Sequence, residues 1–167
     1  MPPARLPLER IKRNYDETSY RQLAMEIQNA REMRFADMSR PQHAAAHVQR
    51  GQELLSQSLN DDAEGEFREA VLLDPANADA HAGMAKVLDA RNDLAAARAE
   101  VQAALQLMPT ADSYLLLAGL DVKQDRLDSA RENVDRAARI DPNHPGIAVL
   151  RRAITARQAE KPGTESQ

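Results

Sequence analysis

The sequence has no cysteine and no tryptophan, and aromatic residues make up only 3% of its 167 residues. Without cysteine there is no disulfide framework, no thiolate nucleophile and no cysteine-ligated zinc. Runs of β-branched and aromatic residues, which are typical of β-strands, are nearly absent. The apolar content, 43% of the chain, consists largely of Ala, Leu, Val and Ile. This composition favours closely packed α-helices.

Long hydrophobic runs and concentrated positive charge are also missing. No stretch approaches the 18 apolar residues that a membrane-spanning helix needs, and the first residues lack the apolar core of a signal peptide. These features predict a cytoplasmic protein. The net charge is −4 and no dense basic stripe occurs, so nucleic acid is not an expected partner. Arginine far outnumbers lysine, which is typical of GC-rich bacterial genomes.

What the sequence does contain is a repeat marked by proline. Pro75, Pro109 and Pro142 occur in similar settings at nearly equal intervals, with a repeat period of about 34 residues. Several sets of equivalent positions, or columns, that share one period indicate a structural repeat. The other columns in the same register are Gly51, Ala85 and Ala118; Ala63, Ala97 and Ala130; Phe67, Val101 and Val134; and Ala70, Ala104 and Ala137.

Each repeat predicts two helices joined by a polar turn and ended by a proline. Proline lacks an amide donor and disfavours helix in the residue before it, so it ends the unit. The small residues allow the two helix backbones to approach closely. We expect the turn residues 60–62, 92–93 and 124–125 to cap the second helix of each pair. The predicted helices are 41–57, 62–73, 78–91, 94–107, 112–123 and 127–140.

From Ala44 to Pro142 these residues resemble the tetratricopeptide repeat, with alanines and prolines in register in three copies. In that family a Trp is favoured early in the first helix and a Tyr-like residue later. Asp121 departs most from this pattern, and it indicates either a looser third repeat or a side chain used for contact. The Trp slots hold His47, His81 and Tyr114, and the later slots hold Leu54, Leu88 and Asp121.

The resemblance implies an all-α fold: a right-handed α-solenoid of three tetratricopeptide helix pairs with an N-terminal helix and a C-terminal capping helix. The N-terminal helix is expected to cap the first unit, to lie in the concave groove as an internal ligand, or to serve as a dimerisation arm. The expected segments are a basic, proline-containing stretch 1–15, the N-terminal helix 16–40, the repeat domain 41–158 and a disordered tail 159–167. Within the repeat domain the units are about 44–77, 78–110 and 111–144, followed by the cap 145–158.

The resemblance also implies where a partner binds, because in this family the first helix of each unit lines the concave face. Those residues are apolar at both ends and charged in the middle, which suits an amphipathic helix or an extended segment carrying one or two charges. They are Val48, Gln52, Leu55, Asp79, Ala82, Lys86, Asp89, Asp112, Leu115, Gly119, Val122 and Lys123.

Two glycines, Gly83 and Gly119, lie inside predicted helices, where each costs about 1 kcal/mol relative to alanine. One interpretation is close approach of a ligand backbone, and the other is tight packing against a neighbouring helix.

A more specific family activity is not expected here. Relatives that clamp the acidic C-terminus of heat-shock chaperones use Lys, Asn and Arg at fixed concave positions. Asp112 would repel a carboxylate at one of those positions. The corresponding residues in this sequence are Val48, Gln52, Gly83, Asp112 and Leu116.

Catalytic, metal and cofactor sites are not predicted. His43 and His47 have the four-residue spacing of zinc ligands, but three alanines fill the gap where a metalloprotease needs its glutamate. His47 also falls in the same slot as His81, which favours a role in packing between helices. No glycine-rich phosphate loop follows a strand.

The sequence therefore predicts a non-enzymatic adaptor or scaffold that binds a partner peptide or helix in the concave groove of the repeats. The alternative is a regulatory or assembly domain of a larger bacterial enzyme or cell-envelope protein, with the proline-rich start as a linker. The sequence leaves the partner and the oligomeric state open.

Overall fold

The structure is a computed structural model that describes residues 20–26 and 38–160. It divides into two units, Met1–Met38 and Ser39–Gln167. In the first unit, residues 20–26 are helical. The predicted segment 1–15, most of the predicted helix 16–40 and the predicted tail from residue 161 onward lie outside the described residues.

The second unit is built from seven described helices, and its described residues contain no β-strand. Helices within a pair pack against each other along their length: α1 with α2, α3 with α4, and α5 with α6. The predicted bounds agree with the observed ones to within two residues. The helices are α1 (Arg40–Ser56), α2 (Asn60–Leu73), α3 (Ala78–Ala90), α4 (Leu94–Leu107), α5 (Ala111–Lys123), α6 (Leu127–Ile140) and α7 (Pro145–Ala159).

Small side chains form the contact inside each pair, as predicted. Ala85 and Ala97 are fully buried in one apolar cluster between α3 and α4. Ala118 and Ala130 are likewise fully buried in one apolar cluster between α5 and α6. At Gly51 a β-carbon would come within 2.8 Å of the Phe67 ring. Close approach of the helices therefore depends on these positions staying small.

Each pair turns through a residue with left-handed backbone, and none of the three is glycine. Ser58, Asn92 and Asp125 have φ of 62°, 61° and 59°. The next amide donates back into the preceding helix, as Leu59 N does to the Leu54 carbonyl at 3.0 Å. This is the hydrogen bond of a Schellman motif, and it recurs at 2.9 and 2.8 Å in the other two pairs. The repeat thus reuses one turn geometry.

The capping prediction is right in one turn and wrong in two. Asp93 caps α4, accepting a hydrogen bond from the Ala96 amide at 3.1 Å. In the first turn Leu59 occupies the N-cap, and in the third Arg126 does, each without a side-chain cap. The left-handed position fixes the register, because the cap is always the residue after it. The polar residues at Asn60 and Asp125 therefore miss the cap by one position.

Successive pairs stack through both of their helices. The second helix of each pair packs against the next first helix, and the first helices also pack side by side, α1 with α3, α3 with α5, and α5 with α7. This arrangement is the predicted right-handed α-solenoid, in which the first helices form the concave face. Residues from α1, α3, α5 and α7 thereby share one continuous surface.

Helix α7 caps the last pair, as predicted. Ile147 and Ile154 are 6% and 2% exposed, and they complete the apolar cluster of α5 and α6. Its exposed side chains include the polar Arg152 and also Arg151, which lies 3.1 Å from Asp135 of α6. Arg152 stands one repeat period after Ala118, in the column that is glycine or alanine in the pairs. A polar outer face is what the end of a solenoid requires.

Asp121, the residue that departed from the repeat pattern, is fully buried. Its carboxylate pairs with the Arg98 guanidinium of α4 and accepts a hydrogen bond from Asn133 Nδ2 of α6 at 2.8 Å. Arg98 also donates to Gln124 Oε1 at 3.0 Å. Asp121 therefore makes a contact, as one of the two interpretations held. That contact is internal and joins three helices.

The Trp-like slot is used for packing between helices, as predicted for His47. His47 Nδ1 lies 2.7 Å from Glu66 Oε2, and His81 Nδ1 lies 2.7 Å from Glu100 Oε2. Each contact joins the two helices of one pair. In the third pair, Asn133 takes the place of the glutamate and turns to Asp121 instead.

Candidate partner-binding groove

The candidate site is the face shared by α1, α3, α5 and α7. Residues three and four apart on a helix lie on the same side, so the predicted positions of each helix point the same way. On α3, for example, Asp79, Ala82, Lys86 and Asp89 follow this spacing. The structure leaves most of the predicted site at least partly accessible: Gln52, Leu55, Asp79, Ala82, Lys86, Asp89, Asp112, Gly119, Val122 and Lys123.

Two predicted contact residues are buried. Val48 and Leu115 are each 7% exposed and belong to the apolar core beneath the face. A β-carbon on Gly146 would lie 3.0 Å from Leu115 Cδ1, so Leu115 fits under the start of α7. These two side chains form the floor of the groove.

A cleft opens between α1 and the start of α3, with a volume of about 280 Å³. It brings the predicted residues Val48, Gln52 and Asp79 together. Sequence reasoning missed the others, although Ala45 and Gln49 share the face of α1 by helical spacing. The lining residues are Ala45, Val48, Gln49, Gln52, Asn77 and Asp79.

The charged residues at the centre of the groove fall into paired and unpaired sets. Lys123 Nζ lies 2.6 Å from Asp89 Oδ1, and this ion pair bridges α5 and α3. Asp112 Oδ1 lies 3.1 Å from His144 Nε2. Lys86 and Asp79 are exposed and form no ion pair within residues 20–26 and 38–160. They are the charges that remain available to a partner.

The two helix glycines have different surroundings. A β-carbon on Gly83 would overlap the ring of Phe67, so tight packing explains this glycine. A β-carbon on Gly119 would meet nothing within 4 Å. Packing therefore does not explain Gly119, and the interpretation of close ligand approach stays open only there.

The groove continues onto α7, which the sequence reasoning treated only as a cap. Val149 is 65% exposed, and Ala153 is partly exposed beside it. The signal was present in the sequence, because Val149 follows Leu115 by one repeat period and Ala153 follows Gly119 in the same way. With Gly119 and Val122, these residues make the far end of the groove apolar.

Neither a metal-binding group of side chains nor a membrane-spanning helix occurs in the described part of the chain. There, no three His, Asp or Glu side chains converge as a metal site would require. No helix in that part is long and apolar enough to cross a membrane. Arg91 donates hydrogen bonds to the carboxylates of Asp61 and Glu64, and Arg136 donates one to Glu132; these bonds raise the pKa of both arginines. Both arginines stay charged and take part in surface ion pairs.

The paired helices and their stacking define an α-solenoid. Comparison with solved structures shows that this α-solenoid has the tetratricopeptide-repeat fold, as predicted. The first such domain of Spaghetti (RPAP3), bound to an HSP90 peptide, has a TM-score of 0.66 at 19% identity, covering 71% of this chain and 95% of its own. The TPR2B domain of yeast Sti1, in complex with an Hsp70 segment, has a TM-score of 0.65 at 18% identity, covering 72% and 99%.

A bacterial protein, PilF of Pseudomonas aeruginosa, is similar at a TM-score of 0.65 and 23% identity, covering 74% of this chain and 55% of its own. At these identities the likeness establishes the fold alone. No family model matches the sequence, and no curated protein matches it.

Proposed function

We propose that this protein is a non-enzymatic adaptor that binds a segment of a partner protein in the groove formed by α1, α3, α5 and α7, and that it acts in the cytoplasm. The proposal rests on two accessible residues in the central and far parts of that groove. Lys86 is exposed and unpaired among the described residues, and Gly119 faces open space. Neither residue is needed for the protein's own packing.

Similar folds support binding of a peptide in general. The Spaghetti (RPAP3) and Sti1 domains were both solved with segments of heat-shock chaperones. This chain lacks the basic residues for a terminal carboxylate, since the corresponding positions include buried Val48, Gly83 against Phe67, and Asp112 beside His144. We therefore propose a partner segment that is not recognised through a terminal carboxylate.

Site-specific photo-crosslinking in cells that produce the protein tests the proposal. A photoreactive amino acid at Gln52 or Ala82 samples the groove, and the same amino acid at Arg68 or Ser129 samples exposed positions on the second helices. We expect one partner protein to crosslink from both groove positions, and mass spectrometry to place the contact in a single segment of it.

Arg68 and Ser129 serve as matched controls because they lie on helices of the same solenoid but outside the groove. A Lys86→Glu variant should lose the groove crosslinks while its circular dichroism stays unchanged. Crosslinks that arise only from Arg68 and Ser129, with none from the groove, would contradict the proposal.

A further inference from the structure

A cavity outside the groove opens between α6 and α7, with a volume of about 290 Å³. Its floor is apolar, since Val134 and Ile154 are only 1% and 2% exposed. Arg151 and Thr155 stand two residues before and after Ala153, so helical spacing places them on the side of α7 that is turned away from the groove. The cavity is lined by Arg131, Val134, Asp135, Arg151, Ile154 and Thr155.

The repeat explains why a cavity opens at this interface. The same position is occupied by Met84 between α2 and α3 and by Leu117 between α4 and α5, and each packs in the apolar cluster of its interface. One repeat period after Leu117 comes Arg151, whose guanidinium reaches the exposed Asp135 at 3.1 Å. A side chain that fills the interface is thereby replaced by one that extends to the surface, and the space above the apolar floor stays open.

A second difference between the interfaces concerns charge. Arg131 stands one repeat period after Arg98, and Thr155 stands one repeat period after Asp121. Between α4 and α5, Arg98 binds the Asp121 carboxylate. Between α6 and α7 the arginine is kept, whereas a hydroxyl takes the place of its carboxylate. The last interface thus retains the cation of that ion pair beside an open cavity.

Both guanidiniums at the cavity pair with exposed carboxylates. Arg131 Nη1 lies 3.2 Å from Oδ1 of Asp128, three residues earlier on the same helix, and the Asp128 side chain is 99% exposed. The side chain of Asp135, which pairs with Arg151, is 60% exposed. Ion pairs between exposed side chains add little stability, so an anion that binds in the cavity can displace either carboxylate.

We propose that this cavity is a binding site for an organic carboxylate with a short apolar stem. The guanidiniums of Arg131 and Arg151 bind the carboxylate, because their planar donors match its two oxygens. The stem lies on the apolar floor, which removes it from water. A free aliphatic carboxylate and a glutamate side chain of another protein share this chemistry, and their relative affinities separate the two sources. The site lies outside the groove and does not depend on the proposed adaptor function.

Titration of the full chain, followed by heteronuclear NMR, tests the site. The probes are hexanoate, acetate, which lacks the stem, hexanol, which lacks the charge, and inorganic phosphate. We expect hexanoate to give saturable chemical-shift changes in the amides of residues 131–135 and 151–155, and the other three to bind about tenfold more weakly or less. Acetyl-glutamate methylamide, a capped glutamate, is the fifth probe. Tighter binding than hexanoate assigns the site to a protein side chain, and weaker binding assigns it to a free carboxylate.

Two variants remove the site at exposed positions of α7. Arg151→Leu restores the apolar residue of the earlier interfaces and fills the cavity, and Thr155→Asp restores the carboxylate that occupies the arginine. Each should weaken hexanoate binding by about tenfold or more while the melting temperature is kept or raised. The matched control is Arg139→Leu, because Arg139 is exposed on α6 and does not line the cavity. It should leave hexanoate binding unchanged.

Failure of both hexanoate and the capped glutamate to bind would overturn the carboxylate site, and so would equal binding of hexanoate and hexanol or of hexanoate and phosphate. Undiminished binding in either Arg151→Leu or Thr155→Asp would overturn its place between α6 and α7, as would an equal loss in Arg139→Leu. Each of these results leaves the adaptor proposal standing, because the crosslinks that test it are measured from the groove.

Discussion

At the scale of single residues, the turns between paired helices hold strain that glycine would relieve. A left-handed backbone brings the β-carbon of an L-residue too close to the following carbonyl oxygen, at about 1–2 kcal/mol. Ser58, Asn92 and Asp125 all adopt this conformation, with φ near 60°. Asparagine tolerates it better than serine, since its short amide can hydrogen-bond locally.

We predict that Ser58→Gly stabilises the protein by about 1 kcal/mol, and that Asn92→Gly gives a smaller gain. The reason is that glycine adopts positive φ without a steric penalty. The midpoint of urea unfolding measures both changes. As a control, Ala99→Gly places the same residue at an exposed helical position of α4 and should lose about 1 kcal/mol. A loss of stability in Ser58→Gly would contradict the assigned turn.

At the scale of helices, the third repeat is held to the second by charge as well as by apolar contact. Arg98 of α4, Asp121 of α5 and Asn133 of α6 meet in one network, with Asp121 fully buried. A buried ion pair adds little net stability, because removing both charges from water opposes their attraction. Removal of one partner is different, since it leaves the other charge buried and uncompensated.

We predict that Asp121→Ala destabilises the protein by about 3 kcal/mol. The combined variant Arg98→Met with Asp121→Leu should recover at least half of that loss, because it removes both charges and fills their volume. Thermal unfolding of the two variants and the wild type makes the comparison. A combined variant as unstable as Asp121→Ala would show that the ion pair itself stabilises the interface.

At the scale of the whole molecule, the solenoid is stabilised between neighbours and has no single centre. Helix α5 packs against α3, α4, α6 and α7, whereas α7 packs chiefly against α5 and α6 among the described residues. In a linear array of this kind, local opening is easiest where neighbours are fewest. The apolar end of the groove therefore lies on a rigid helix, α5, and on a more readily opened one, α7.

We predict that hydrogen exchange measured by mass spectrometry gives amides of α5 protection factors at least tenfold higher than those of α7. Protection factors are compared because they remove differences in intrinsic exchange rate between sequences. Equal protection in α5 and α7 would contradict the stacking argument.

The sequence by itself determined the helices, their pairing and the stacking of three repeats with a cap. Prolines that recur once in every repeat end the units through backbone sterics, and alanines in register permit close approach. Such effects act over short stretches of chain or repeat identically in each copy, so they can be read without coordinates.

Only the tertiary structure decided which of these residues are buried against neighbouring helices and which are open to solvent. Gly83 and Gly119 look alike in sequence, yet one lies against the Phe67 ring and the other faces open space. Leu115 belongs to the floor of the groove, and Asp121 belongs to a buried ion pair. The physical reason is that burial depends on neighbours from other repeats, whose side chains no local pattern records.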